Sequence, residues 1–258
     1  MSTSSKVILY EQPINEHTRA CLRLEYLFSQ LQHGMETDSV WHSRLTISSL
    51  IDALNVLDRP DLKTKLTKEL SRHQGSLIRH LQTPQIDQHK LKQVLKDLDY
   101  VLSGLNATNG KIGQELRDNE FLSNLRMYLA NPGGGCGFDI PAYHLWLQQP
   151  SKKRMTDLHG WINQLEHIMT TVQLVLRLIR ESTTAENKTA LEGFYQTGLN
   201  PDVPYQLIRV AVPYDVNAYP EVSVGRHRLC VRFYSPDYQG RATQTTEDIA
   251  FKVTCCVM

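Results

Sequence analysis

The chain has 258 residues, with 28 Lys and Arg against 27 Asp and Glu and a formal charge of +1. A chain of this length can bury roughly 70–75% of its unfolded surface, enough for one large domain or two small ones, which excludes a disordered polymer. The near-neutral balance excludes bulk polyanion binding and leaves room only for a local cationic patch.

Residues 6–10 hold the first apolar run. The apolar run Val7, Ile8, Leu9, Tyr10 lies between Lys6 and Glu11, too short and too polar at its flanks for a signal peptide, so no export is expected. It reads as a strand that must pair with later strands, because an isolated strand is not stable. From about residue 14 to 182 the apolar period is helical. Cys21, Leu24, Leu27, Phe28 and Leu31 form one stripe, and Trp41, Leu45, Leu50, Ile51, Leu54 and Leu57 a second. Pro60 restarts the chain, and Leu62, Leu66, Leu70, Leu77 and Leu81 form a third that ends before Pro84. Asp87 is the expected N-cap of a fourth helix through Leu91, Leu98 and Leu105, stopped at Gly104 or over 106–110. Shorter helices are expected at 112–118 and 119–130.

The loop Asn131-Pro132-Gly133-Gly134-Gly135-Cys136-Gly137 precedes a short segment at 141–148 and then a long stripe from Met155 to Ile179, read as one helix or two. No stretch reaches the about 20 apolar residues a membrane span needs; 172–179 is interrupted by Gln173 and Arg177. After Glu192 the period falls to 2, and 205–212, 219–224, 226–234 and 248–256 read as strands of a small antiparallel sheet. The expected fold class is α+β: a helical domain over 12–192, and a β domain made of 6–11 with 193–258.

Alternation along a strand sorts side chains by parity. Over 226–234, His227, Leu229, Val231 and Phe233 share one face, and Arg226, Arg228, Cys230, Arg232 and Tyr234 the other. The same logic turns Arg209 away from Ile208 and Val210, and Lys252 away from Phe251 and Val253. One exposed sheet face is thus expected to carry Arg209, Arg226, Arg228, Arg232 and Lys252, with Glu221 and Asp248 as its acids. Guanidinium groups suit bidentate pairing with carboxylate or phosphate, so an acidic peptide and a nucleic-acid backbone are the two physical candidates, with Tyr205, Tyr219 and Tyr234 available for stacking.

Other chemistry is less well supplied. Cys136 with His144 eight residues on admits a thiol-dependent hydrolase as an alternative. The glycine loop lacks the Gly-Lys-Ser/Thr end of a Walker motif and the strand that precedes a dinucleotide motif. His73, His80 and His89 lack the paired spacing of a zinc site, so neither metal nor cofactor is expected. Five cysteines, with Cys255 and Cys256 adjacent, do not make a disulfide framework, and a reducing cytoplasm is the expected home. Cys255 continues the inward parity of Phe251 and Val253, so a strand is preferred over a prenylation box at the terminus.

An ordered set of segments is more specific. Val7 to Tyr10 followed by Pro13-Ile14-Asn15-Glu16, then Arg23-Leu24-Glu25, the Pro132-Gly133-Gly134 loop, Phe138-Asp139-Ile140-Pro141, His144-Leu145-Trp146-Leu147, Gly193-Phe194-Tyr195-Gln196 and a terminal Cys255-Cys256 resemble the ZapD family of bacterial cell-division proteins. The resemblance spans about 7–256; Val257-Met258, the extra Gly135 and the lack of proline over 151–179 depart from it. It implies a cytoplasmic, non-enzymatic homodimer, recruited to midcell. Such a protein binds the acidic C-terminal tail of FtsZ, a tubulin-like GTPase, and crosslinks its filaments at the division ring. Arg228 and Arg232 match the family's Arg-x-x-x-Arg strand, and Arg59 and Arg117 match further basic positions. Asp139 to Tyr143 also resembles the core of the FtsZ tail, which could make it an internal mimic. Nucleic acid is the alternative partner and is not expected.

Overall fold

The structure, a computed structural model, describes residues 6–81 and 87–258; Pro84, the expected stop of the third helix, lies outside them. The chain forms two compact units, one from Ala20–Val175 and one from the segment ending at Arg19 together with Leu176–Met258.

The first unit is helical. Its elements are α1 (Glu16–Gly34), α2 (Val40–Leu57), α3 (Leu62–Ile78), α4 (Gln88–Ala107), α5 (Gln114–Asp118), α6 (Glu120–Leu129), α7 (Pro141–Leu147), α8 (Ser151–Asn163) and α9 (Glu166–Glu181). The first turn of α1 and the last turn of α9 belong to the other unit. Side-chain oxygens start several of these helices by accepting from unpaired backbone N–H groups. Ser39 accepts from His42 N, Asp87 from His89 N and Lys90 N, and Asn119 from Leu122 N. The stripe over 155–179 is two helices, broken at Gln164–Leu165, where Leu165 N–H bonds to Ile162 O at 2.8 Å.

Leu24, Leu31, Leu50, Leu54, Leu66, Leu70 and Leu98 are fully buried, as their spacing predicts, and Ile47, outside the expected stripe, is fully buried too. Trp41 is not: it is 78% exposed, with the Arg44 guanidinium 5.6 Å from its ring centre. The inward face of α2 begins instead with Ser43 and Thr46. Their hydroxyls donate to Ser39 O and His42 O, so small polar side chains occupy core positions at no hydrogen-bonding cost. Phe121 and Trp161 stack at 5.8 Å, and Tyr143 with Trp146 at 6.2 Å, forming an aromatic layer in this unit.

The second unit is a β-sandwich, not the single sheet expected. Its strands are β1 (Val7–Pro13), β2 (Glu186–Ala190), β3 (Phe194–Gly198), β4 (Tyr205–Pro213), β5 (Tyr219–Val224), β6 (Arg228–Ser235), β7 (Thr243–Gln244) and β8 (Ile249–Val257). One sheet runs β1-β4-β8-β2; the other runs β3-β6-β5, with β7 on the end of β6. Ile208, Val210, Phe251 and Val253 of the first sheet share one core with Leu229, Val231 and Phe233 of the second. The N-terminal strand pairs antiparallel with β4, with Tyr10 opposite Val210. Strand β2 lies where a helical domain was expected, and β3 and β7 were not anticipated; these strands are short, and two of them lie beside a glycine or a chain reversal that hides their alternation.

Candidate functional site: a cationic sheet face

The expected parity of β6 holds. Leu229, Val231 and Phe233 are fully buried, while Arg228 and Arg232 are exposed on the opposite face. Arg226 and His227 are not strand residues; they sit with Gly225 in the tight turn joining β5 to β6, closed by a Gly225 N–H bond to Arg228 O at 2.9 Å. Register sets the outer face in rows. Arg232 lies between Phe194 on β3 and Glu221 on β5. Cys230 lies between Gln196 and Ser223, and Arg228 lies beside Gly198. The row above pairs Tyr219 with Tyr234, stacked at 5.9 Å.

This arrangement leaves the arginines exposed. The Arg232 guanidinium lies 5.3 Å from the Phe194 ring centre, a cation–π contact that uses none of its N–H donors. Gly198 has no side chain to crowd Arg228. Among the described residues no acid forms an ion pair with Arg226, Arg228 or Arg232, although Glu221 sits directly across from Arg232. The turn, with Ser223 and Cys230, borders an open depression of about 510 Å³. Phe194 was missed as a site residue; its segment carried the family resemblance, but strand alternation could not place it without β3.

Arg209 and Lys252 do not join this face. Both lie on the first sheet, so the sandwich core separates them from Arg228 and Arg232, and parity alone could not reveal which sheet a strand enters. Arg209 is also paired: its Nε is 2.9 Å from Glu11 Oε1, a carboxylate it shares with Arg180, whose Nη2 is 2.6 Å from Glu11 Oε2. Lys252 is exposed between Ala211 and Asn187. Asp248, expected as an outward acid, accepts from Glu192 N–H at 2.8 Å.

In the helical unit, the Arg117 side chain is turned inward onto backbone carbonyls. It is only 9% exposed and donates to Leu54 O at 3.2 Å and to Ile112 O. Burial pushes its guanidinium below its ordinary pKa. It lies against Asp58, which also holds Arg126 Nη2 at 2.8 Å and Lys111 Nζ at 2.9 Å. Hydrogen bonds from Arg126 and Lys111 hold the Asp58 carboxyl down at about 2. Arg59 is half-buried and borders an open pocket of about 520 Å³ with Lys63, Lys68 and Lys111. Those lysines, supplied by α3 and the connection after α4, form a second basic surface that no local sequence signal brings together.

The remaining candidates are weaker in geometry. The exposed Cys136 thiol donates to Gly133 O at 3.0 Å, and among the described residues no hydrogen bond joins it to His144, whose ring packs on Gly137. No group of three His, Cys, Asp or Glu among the described residues is placed to hold a metal. The Asp139–Tyr143 segment is not displayed as a mimic: Pro141 opens α7, and Ile140 and Tyr143 are buried. No helix among the described residues is long and apolar enough to cross a membrane.

Fold and site together define an α+β protein whose most distinctive surface is an arginine-bearing sheet face flanked by aromatic rings. Comparison with known proteins makes the assignment specific: the family model described as "ZapD: Cell division protein" matches residues 22–232. The chain belongs to the ZapD family of cell-division proteins. It is 45% identical over 251 residues to a cell division protein ZapD of Coxiella burnetii, covering 96% of this chain and 97% of that one. Similar proteins of the same name from Methylococcus capsulatus (35% over 251 residues, 97% and 98% covered) and Bordetella pertussis (37% over 253 residues, 98% and 99% covered) match almost end to end.

Proposed function

We propose that this protein is a non-enzymatic adaptor of the division machinery that binds the acidic C-terminal tail of FtsZ and, as a homodimer, crosslinks FtsZ filaments at midcell in the cytoplasm. The observation that carries this reading is the pair Arg228 and Arg232: exposed, on one face of one strand, without an acid partner among the described residues. Four residues of strand separate them by about 13 Å, so an extended peptide with carboxylates four residues apart engages both at once. Phe194, Tyr219 and Tyr234 add apolar surface for the side chains between the acids. Two arginines and a turn arginine opposed by Glu221 make a small local excess, suited to a short tail more than to a nucleic-acid backbone.

Co-sedimentation with polymerised FtsZ tests this directly. The protein is expected to pellet with full-length filaments, to stay in the supernatant with filaments lacking the tail, and to lose pelleting when Arg228→Glu and Arg232→Glu are combined. Undiminished pelleting of the double variant removes the sheet face as the site. Retention of the wild type by DNA, lost in the same variant, transfers the site to nucleic acid.

A further inference from the structure

The basic depression of the helical unit differs in chemistry from the sheet face. One wall is the first two turns of α3, where Lys63 with Thr67, and Thr64 with Lys68, stand four residues apart and so lie one turn above another. The end of α4 supplies Asn106, and the connection after it supplies Gly110 and Lys111. Lys63 Nζ donates to Thr108 O, which ties α3 to that connection. None of the residues lining the depression is acidic. Asp58, between the lining residues Leu57 and Arg59, faces Lys111, Arg117 and Arg126, so one carboxylate is shared among three cations and the group keeps a positive excess. Lys68 is exposed, with no acid partner among the described residues. The Thr64 hydroxyl and the Asn106 amide make no hydrogen bond among the described residues, so both are available as neutral donors.

We infer that this depression binds a phosphate chain, the di- or triphosphate of a free polyphosphate or of a nucleotide. Three of its four cations are lysines, and an ammonium is a compact point charge that meets any oxygen of a tetrahedral anion, whereas the guanidinium groups of the sheet face favour planar, bidentate pairing. A volume of about 520 Å³ is that of a small-molecule site, so it takes a compact ligand of high charge density rather than a length of peptide. Lys63, Lys68, Lys111 and Arg59 neutralise the chain, and Thr64 and Asn106 donate to the oxygens that remain. No aromatic ring lines the depression, so nothing there stacks on a base, and a nucleotide is held by its phosphates alone. Every lining residue belongs to the helical unit, which makes the site independent of the sheet face and of the tail reading.

In magnesium-free buffer of fixed ionic strength, titration calorimetry of the full chain with sodium triphosphate is expected to show one site per chain, with ATP and GTP binding alike and adenosine not at all. Lys68→Glu is expected to weaken triphosphate binding at least about tenfold, since it replaces a charge-assisted contact by repulsion, with unchanged circular dichroism. Lys63→Gln combined with Lys68→Gln is a second variant should the first misfold, and glutamine keeps a donor for Thr108 O. Equal heats from sulfate at the same ionic strength mean an adventitious ion only and overturn the inference. So does triphosphate binding that survives both variants, or that is lost when Arg228→Glu and Arg232→Glu are combined, which places the anion on the sheet face. Displacement of triphosphate by an FtsZ tail peptide, with loss of both in Lys68→Glu, makes the depression an acidic-peptide site and overturns it too. Tail-peptide binding that fails while triphosphate binding keeps its dependence on Lys68 removes the tail reading and leaves this one standing.

Discussion

Arg228 and Arg117 carry the same group into opposite surroundings, one exposed and one buried, and the roles proposed for them follow from that difference. The Arg117 guanidinium satisfies the carbonyls of Leu54 and Ile112 away from solvent, so Arg117→Ala leaves both unpaired and is expected to cost about 1–3 kcal/mol in urea unfolding. Arg228 is exposed without an acid partner among the described residues; Arg228→Ala is expected to change stability by less than about 0.5 kcal/mol while weakening tail-peptide binding. A folded Arg117→Ala protein with normal stability and lost binding contradicts the division. Asp58 adds a pH test. Its carboxyl is held at about 2 by Arg126 and Lys111, below its unfolded value. A depressed folded pKa means the carboxylate's stabilisation is complete above about pH 4 and is lost as pH falls towards 2. The stability gap between wild type and Asp58→Asn is therefore expected to be constant at neutral pH and to close through that window; a gap that persists at pH 2 assigns the loss to packing. Sequence could expose the arginine types but not these roles, because Arg209 finds Glu11 across 198 residues and Arg117 finds Leu54 across 63.

Among the elements, the β5–β6 hairpin was the part most legible in the sequence, since period-2 alternation is a local property and Leu229, Val231 and Phe233 are inward wherever the strand goes. What alternation cannot encode is the sheet a strand joins, and so Arg209 and Lys252 were grouped with Arg228 and Arg232 from the opposite side of the sandwich. Helix α2 shows the complementary limit: Ser43 and Thr46 cap their own hydroxyls on the backbone and take the inward positions that an apolar count assigned to Trp41. Strand β3 was hidden by the glycine before it, and that glycine is a demanding position. Gly193 has φ +71°, and a Cβ there would lie 2.5 Å from Thr245 O. Its carbonyl accepts from Phe233 N–H at 2.8 Å, tying the start of β3 to β6 beside the Phe194–Arg232 contact. Gly193→Ala is expected to cost at least about 1–2 kcal/mol in thermal or urea unfolding and, in the folded fraction, to weaken tail binding by displacing Phe194. Unchanged stability would mean the turn relaxes without strain.

At the scale of the whole molecule, a net charge of +1 coexists with a cationic face because acids outside that face offset its excess of arginine. A face of exposed charges binds weakly at any one site, since each exposed ion pair contributes only about 0.2–1 kcal/mol and is screened by salt. Crosslinking by so weak a contact is effective only when two faces act together, each raising the effective concentration of the second tail on a neighbouring filament. Tail binding and bundling should then separate in a monomeric protein. A monomeric variant is expected to bind an isolated tail peptide with wild-type affinity by titration calorimetry, and to lose filament bundling in light scattering and low-speed pelleting. Raising salt from about 50 to 300 mM is expected to weaken peptide binding in both proteins alike, while the avidity advantage on filaments disappears only in the wild type, the variant having none to lose. Bundling by a confirmed monomer would place both filament contacts on one chain, and the basic surface of Arg59, Lys63, Lys68 and Lys111 would be the surface to mutate next.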